Sequence, residues 1–462
     1  MMVSRITVVL SISLLLLFFE AKVEAQEEAR ENAQEEEVEE VLSLTEERRE
    51  TLLFGIDAEV IELIDNLIVE KEKLLLDDVF ATFKLSINPE IKIRAFRFFD
   101  TMEFEGARED ALEIAREPGE SSRELTLEAI RYISQDRSAE AAEVFLPLLN
   151  NPDQSIARAA IRGLGTAGDD THGKILVEKL DDPDYPGNLK SEIILSLGDL
   201  KYKEAVESLI EIVEDETEEQ TWRRYACDAL GKIGDPLAIP ALRLAYESSD
   251  AILRSYAVSS LRYFDEPDTT AMLIQALRDS FWRVRVSAAQ SLAERGATEA
   301  VPILIYKARK DPETNVKLEA VDALGKIGTI EAIEALRELF ESDNANSGVR
   351  LGAMEALIEH DLEGSLSILK TVIQNEWEKE GSKILERTAF RLSLAESPQL
   401  KPLFLRFLDA GDLVIIIYGL RGIGRNGFSD LLERVEQLSG ENNHRSIRRA
   451  ALAALDQLRG NP

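Results

Sequence analysis

Trp222-Arg-Arg-Tyr-Ala-Cys-Asp-Ala-Leu-Gly-Lys-Ile-Gly234 decides how this chain is read, because Val316-Lys-Leu-Glu-Ala-Val-Asp-Ala-Leu-Gly-Lys-Ile-Gly328 restates it. Both stretches set apolar residues at three- and four-residue steps and end in Ala-Leu-Gly-Lys-Ile-Gly. Each therefore predicts one helix with a stop. With the leucine of Ala-Leu-Gly as register, an apolar column runs through Phe99, Ile133, Leu164, Leu197, Leu230, Leu261, Leu292, Leu324 and Leu357 at a nearly constant interval. Further on, Ser393 matches weakly, and Leu420 and Leu455 match well. Recurrence at a fixed interval marks an internal repeat.

A second set of helices alternates with the first, over 205–213, 238–246, 300–308 and 332–340. Pro240 and Pro302 fall in their first turns, where a missing N–H costs little. The glycine pairs Gly231/Gly234 and Gly325/Gly328 are read as helix ends that permit a left-handed cap. Asp182-Pro183 and Asp311-Pro312 break the chain between helices. The unit is helix, short turn, helix, and a neighbouring unit shields what one alone would leave wet.

This repeat resembles the HEAT family, in its short bacterial variety first noted in phycobilin lyases. The residues that carry the resemblance are Val284-Arg285 with Ala288-Ala289 and Leu292, Val316-Lys317 with Ala320 and Ala323-Leu324-Gly325, and Val349-Arg350 with Ala353 and Leu357. It covers roughly residues 85 to 458. The resemblance implies an all-α, right-handed α-solenoid of stacked helix–turn–helix HEAT repeats, with the second helices lining a concave face. It also implies an Asp before the second helix that bonds the Arg of its own or a neighbouring repeat. Asp279 with Arg285, and Asp343 with Arg350, are placed for such a structural ladder.

Four segments are expected. Residues 1–25 carry Arg5, an apolar run over 6–19 and Val23-Glu24-Ala25, which together read as a secretory signal cleaved after Ala25. The run is short of the roughly 20 residues of a comfortable span, although a retained anchor is the alternative. Residues 26–50, with Glu35-Glu36-Glu37 and Glu39-Glu40, read as a solvated, partly helical or disordered acidic lead-in. Residues 51–87 put Ile56, Val60, Leu63, Ile64 and Leu67 on one face and read as a helical N-terminal cap. The solenoid takes 88–462. No second run of spanning length follows the first. An exported chain with bacterial-type repeats and no disulfide points to a periplasm. Its one cysteine, Cys227, reads as a small buried hydrophobe.

Charge narrows the partners. The 462 residues carry 87 acids against 54 bases, a formal net charge of −33. Nucleic-acid binding needs a basic footprint, and an anionic lipid surface repels such a chain. Basic protein partners fit.

Chemistry finds little to hold. The di-iron hydroxylases of HEAT type place His-Glu pairs in several repeats; His172, His360 and His444 are none of them followed by Glu. They read as surface or loop residues. Gly163-Leu-Gly165-Thr-Ala-Gly168 follows a helix rather than a strand, so it reads as a cap and not a nucleotide fingerprint. Asp182-Pro-Asp184-Tyr-Pro-Gly187 puts Pro186 where a calcium loop needs a ligand, and reads as a turn. No catalytic, cofactor or metal residue is assigned. The suggestive group is Tyr225, Tyr256 and Tyr263 beside Arg224, Arg254 and Arg262, with Phe281 and Trp282 in the next repeat. Tyr and Arg make binding hot spots, so residues 222–285 are the expected groove for a protein or peptide; rings that fill gaps between helices are the plainer reading. The function expected is a non-catalytic protein-binding or scaffolding module of the bacterial envelope. The alternatives are a self-associating structural protein or an enzyme or lyase-type subunit.

Overall fold

The computed structural model describes residues 44–135, 137–342 and 345–460, so the signal segment, most of the acidic lead-in and Asp343 lie outside the described residues. The chain divides into two units, 1–196 and 197–462. The first contains α1 (44–54), α2 (Asp57–Glu70), α3 (Leu76–Leu85), α4 (Pro89–Met102), α5 (Arg108–Arg116), α6 (Arg123–Ser134), α7 (Ala139–Leu148), α8 (Gln154–Ala167), α9 (Asp170–Asp181) and the greater part of α10 (Gly187–Leu200), within which the division falls. The second contains α11 (Val206–Glu214), α12 (Gln220–Ile233), α13 (Ile239–Tyr246), α14 (Ala251–Ser260), α15 (Pro267–Ala276), α16 (Trp282–Glu294), α17 (Val301–Lys310) and α18 (Thr314–Ile327). It goes on through α19 (Ile330–Glu341), α20 (Ser347–His360), α21 (Leu362–Glu376), α22 (Lys383–Ser393), α23 (Lys401–Phe407), α24 (Leu413–Arg425), α25 (Leu432–Ser439) and α26 (Arg445–Arg459). The described residues contain no strand, and none of their helices is long and apolar enough to cross a membrane.

Within each unit the even-numbered helices stack on one another. In the first, α2 lies on α4, α4 on α6 and α6 on α8; in the second, the series α12 to α26 continues the same way. Odd-numbered helices back their even partners, so the architecture is an all-α solenoid of helix pairs. The apolar column supplies the contact. Phe99, Ile133 and Leu164 in the first unit, and Leu197, Leu230, Leu261, Leu292, Leu324, Leu357, Leu420 and Leu455 in the second, are all buried. Ser393 is buried too and bonds the Phe390 carbonyl, so the weak match keeps its place in the column.

The signature glycines divide their work. Gly234 and Gly328 have φ of +71° and +66° and end α12 and α18 in the left-handed conformation, as expected. Gly231 and Gly325 do not cap: they lie inside those helices. A Cβ on Gly231 would stand 2.8 Å from Ser260 Cβ, and one on Gly325 2.9 Å from Ala356 Cβ. Successive even helices approach too closely there for a side chain. Likewise Gly163 and Gly165 are buried within α8, not in a cap.

One other expectation changes, that for His172, and two gain detail. Within the segment read as a cap, Leu67, fully buried, stands one repeat before Phe99, and α2 stacks on α4 as later even helices do. The last residues of the lead-in belong to α1, where Arg48 pairs with Glu70 at 2.8 Å and Arg49 with Asp78 at 3.0 Å. His172 is not a surface residue; it is buried in the first turn of α9, with Nδ1 2.7 Å from Asp169 Oδ1. Cys227 is fully buried, and burial pushes its thiol up to about 12.

Candidate functional site

An arginine ladder joins α12, α14, α16 and α18 in the second unit. Arg224 Nη2 reaches Asp250 at 2.7 Å. Arg254 grips Asp279 with Nε and Nη2, both at 2.9 Å. Arg285 grips Asp311 at 2.9 and 2.7 Å while its Nη1 donates to the carbonyls of Asp279 and Ser280. Each guanidinium thus ties its own turn to the carboxylate of the next pair. The expected Asp279–Arg285 rung is made through the Asp279 backbone; its carboxylate belongs to Arg254. Burial pushes the Asp279 and Asp311 carboxyls up, but the arginine hydrogen bonds and backbone N–H groups outweigh it and hold both below their ordinary value. Arg350 spans the carbonyl of Phe340 at 3.0 Å and Glu376 at 3.6 Å.

The residues singled out from sequence are gathered on this framework, with altered roles. Tyr225 and Tyr256 are neighbours in successive even helices, ring centroids 6.3 Å apart at 58°. Both are half-buried. Burial, then Tyr225 and Asp228, raise the Tyr256 phenol. Arg262 lies 4.8 Å over the Tyr263 ring, donates to its hydroxyl at 3.0 Å and pairs with Glu294 at 3.3 Å. Phe281 and Trp282 sit 6.3 Å apart, with Arg283 over the indole at 5.3 Å. Arg224 and Arg254 are committed to the ladder. Their charges are neutralised within the fold, so they offer a partner less than their residue type suggests.

A different stretch of the same surface is open. Leu318, Gly348, Leu351, Gly352, Phe390 and Tyr418, on α18, α20, α22 and α24, line a groove of about 710 Å³. Phe390 and Tyr418 meet edge to face at 5.4 Å. The Arg387 guanidinium lies 5.3 Å over Phe390 and bonds Glu355 at 2.8 Å; Arg421 lies 5.8 Å from the Tyr418 ring. Lys383 and Glu386 stand on the rim. Gly352 lines the groove at the register position that Tyr225 and Tyr256 fill in α12 and α14, and Ser287 and Glu319 in α16 and α18. A mid-helix glycine costs about 1 kcal/mol relative to alanine. At Gly231 packing requires it. At Gly352 a Cβ would meet only Leu318 and Val321, at 3.4 and 3.5 Å, ordinary contact distances. The helix bears a destabilising residue whose structural effect is to leave the groove open.

Such a surface can take an apolar side chain between aromatic and arginine walls. Among the described residues no group of His, Cys, Asp and Glu could hold a metal ion.

The family profile described as Spirochaete HEAT repeat protein matches residues 52–454. No curated protein matches the sequence. Among solved structures, yeast importin-beta (Kap95p) is similar at 13% identity and a TM-score of 0.51, over 90% of this chain and 65% of its own. Kap95p with RanGDP gives the same identity and score, over 84% of this chain and 60% of its own. The chain also spans 53% of the length of Kap121p. These likenesses are of fold alone. The complex of CpcE and CpcF of phycocyanin lyase from Nostoc sp. shares 21% identity over half of this chain and 92% of its own, at a TM-score of 0.33 too low to carry an argument.

Proposed function

Because the chain belongs to the spirochaete HEAT repeat protein family, we propose that it is a non-catalytic scaffold that captures a protein or peptide segment on the surface of its even helices. The observation that carries this reading is the groove at Gly352, where the absence of a side chain leaves aromatic and guanidinium walls facing open space. The bound segment inserts an aliphatic or aromatic side chain between Leu318, Leu351 and Phe390. Kap95p is solved with a protein partner, RanGDP, and a stack of helix pairs supplies the same kind of extended surface here.

Capture from an envelope extract tests it. Gly352→Tyr fills the groove without a backbone clash and should abolish recovery of a partner that the wild type retains, while leaving helix content intact. Tyr225→Ala with Tyr256→Ala should leave recovery unchanged. A partner held equally well by Gly352→Tyr overturns the groove reading; one lost only with the tyrosines moves the site to 222–285.

Export to a bacterial periplasm is part of the proposal. Its support is Arg5, the apolar run over 6–19 and the small residues ending at Ala25. N-terminal sequencing of the native protein should begin at Gln26, in the periplasmic fraction; an intact Met1 in the cytosol refutes it.

A further inference from the structure

Two arginines of α26 repeat the ladder without a rung, and Arg445 stands a turn before them. Arg448 stands at the register position of Arg254, Arg285 and Arg350, and Arg449 at that of Arg224. Arg224, Arg254 and Arg285 reach a carboxylate of the next pair from these positions, whereas Arg223 donates to the carbonyl of Val213. Among the described residues no carboxylate pairs with Arg445, Arg448 or Arg449. Leu452 continues the stripe and is 52% exposed. Spacings of three and four residues put all four side chains on one face of the helix. Cations in the opening turns of a helix also oppose its dipole, so they do not serve the stability of α26 itself.

The chain carries a complement to this face. Glu35-Glu36-Glu37-Val38-Glu39-Glu40-Val41-Leu42 interleaves carboxylates with branched apolar residues immediately before α1. Guanidinium groups pair with carboxylates in short, charge-assisted hydrogen bonds, and the exposed leucine matches the valines. We propose that the face made by Arg445, Arg448, Arg449 and Leu452 docks residues 35–42 of a second copy of this chain, joining copies head to tail. The contact is heterologous, one surface meeting a different one. It is independent of the groove, to which α26 contributes no residue.

Sedimentation velocity on the form beginning at Gln26 tests this. The wild type should gain mass with concentration at low salt and lose that gain at high salt, as a charge-driven contact does. Arg445→Glu/Arg448→Glu/Arg449→Glu should be monomeric throughout, and so should Glu35→Lys/Glu36→Lys/Glu37→Lys. An equimolar mixture of the two should form a heterodimer, because one keeps the acidic segment and the other the arginine face. Circular dichroism checks that both variants fold. A monomeric wild type, continued association of the arginine variant, or a mixture that stays monomeric overturns the proposal.

Discussion

Replacing Arg285 by methionine should be the most damaging single change to the ladder. The Arg285 and Asp311 side chains are 7% and 0% exposed and joined by two hydrogen bonds of 2.9 and 2.7 Å. Removing one partner of a buried pair leaves an uncompensated charge, at about 3–5 kcal/mol. Lys307 Nζ remains 3.1 Å from Asp311, which puts the loss near the lower end, about 3 kcal/mol. Arg224 is the control: it reaches one carboxylate oxygen, and it and Asp250 are 29% and 24% exposed. Arg224→Met should cost about 1 kcal/mol. Because array stability is a sum of repeat and interface contributions, urea unfolding followed by circular dichroism should move further for Arg285→Met and become less steep. Arg285→Met with Asp311→Leu should recover most of the loss, since two apolar groups leave no bare charge. Equal losses for Arg285→Met and Arg224→Met, or no recovery in the double variant, would show that the rung is not what couples these repeats.

Gly231→Ala should destabilise by about 1–3 kcal/mol through the 2.8 Å approach to Ser260, whereas Gly352→Ala should stabilise by up to about 1 kcal/mol; thermal melts of the pair decide. Asp250, Asp279 and Asp311 are held below their ordinary carboxyl value, so each contributes stability that is present above the unfolded value near 3.9 and lost as pH falls through the lower folded one. Urea midpoints should therefore drop steeply below about pH 4, and less steeply in Arg285→Met/Asp311→Leu. With its thiol pushed up to about 12 by burial, Cys227 should resist a thiol reagent in the native chain at pH 8 and react at once in urea.

The fold was legible because its signal is periodic. One leucine column located every even helix from α4 onward, and Leu67 escaped it because Glu59 stands eight residues before it, where Phe99 and Ile133 have Ile91 and Leu125. What failed was the assignment of partners. The Tyr225–Tyr256 pair was found from residue type, but nothing local says that Arg224 reaches Asp250 or Arg254 reaches Asp279, each about a repeat away. The groove escaped because its cause is a missing side chain. Reading the register position of Tyr225 and Tyr256 down the array, and not only the leucine column, would have exposed Gly352. His172 was misread because its burial depends on helix packing that a lone residue cannot report.

The ladder also gives the second unit a mechanical character. Its rungs act in series, and they are not equal: Arg224 engages one carboxylate oxygen near the surface, whereas Arg285 holds two in the interior. Of the three joints the ladder makes, tension meets the weakest rung between α12 and α14 and the strongest between α16 and α18, so among them the first should give before the last, like a spring wound from wire of uneven gauge.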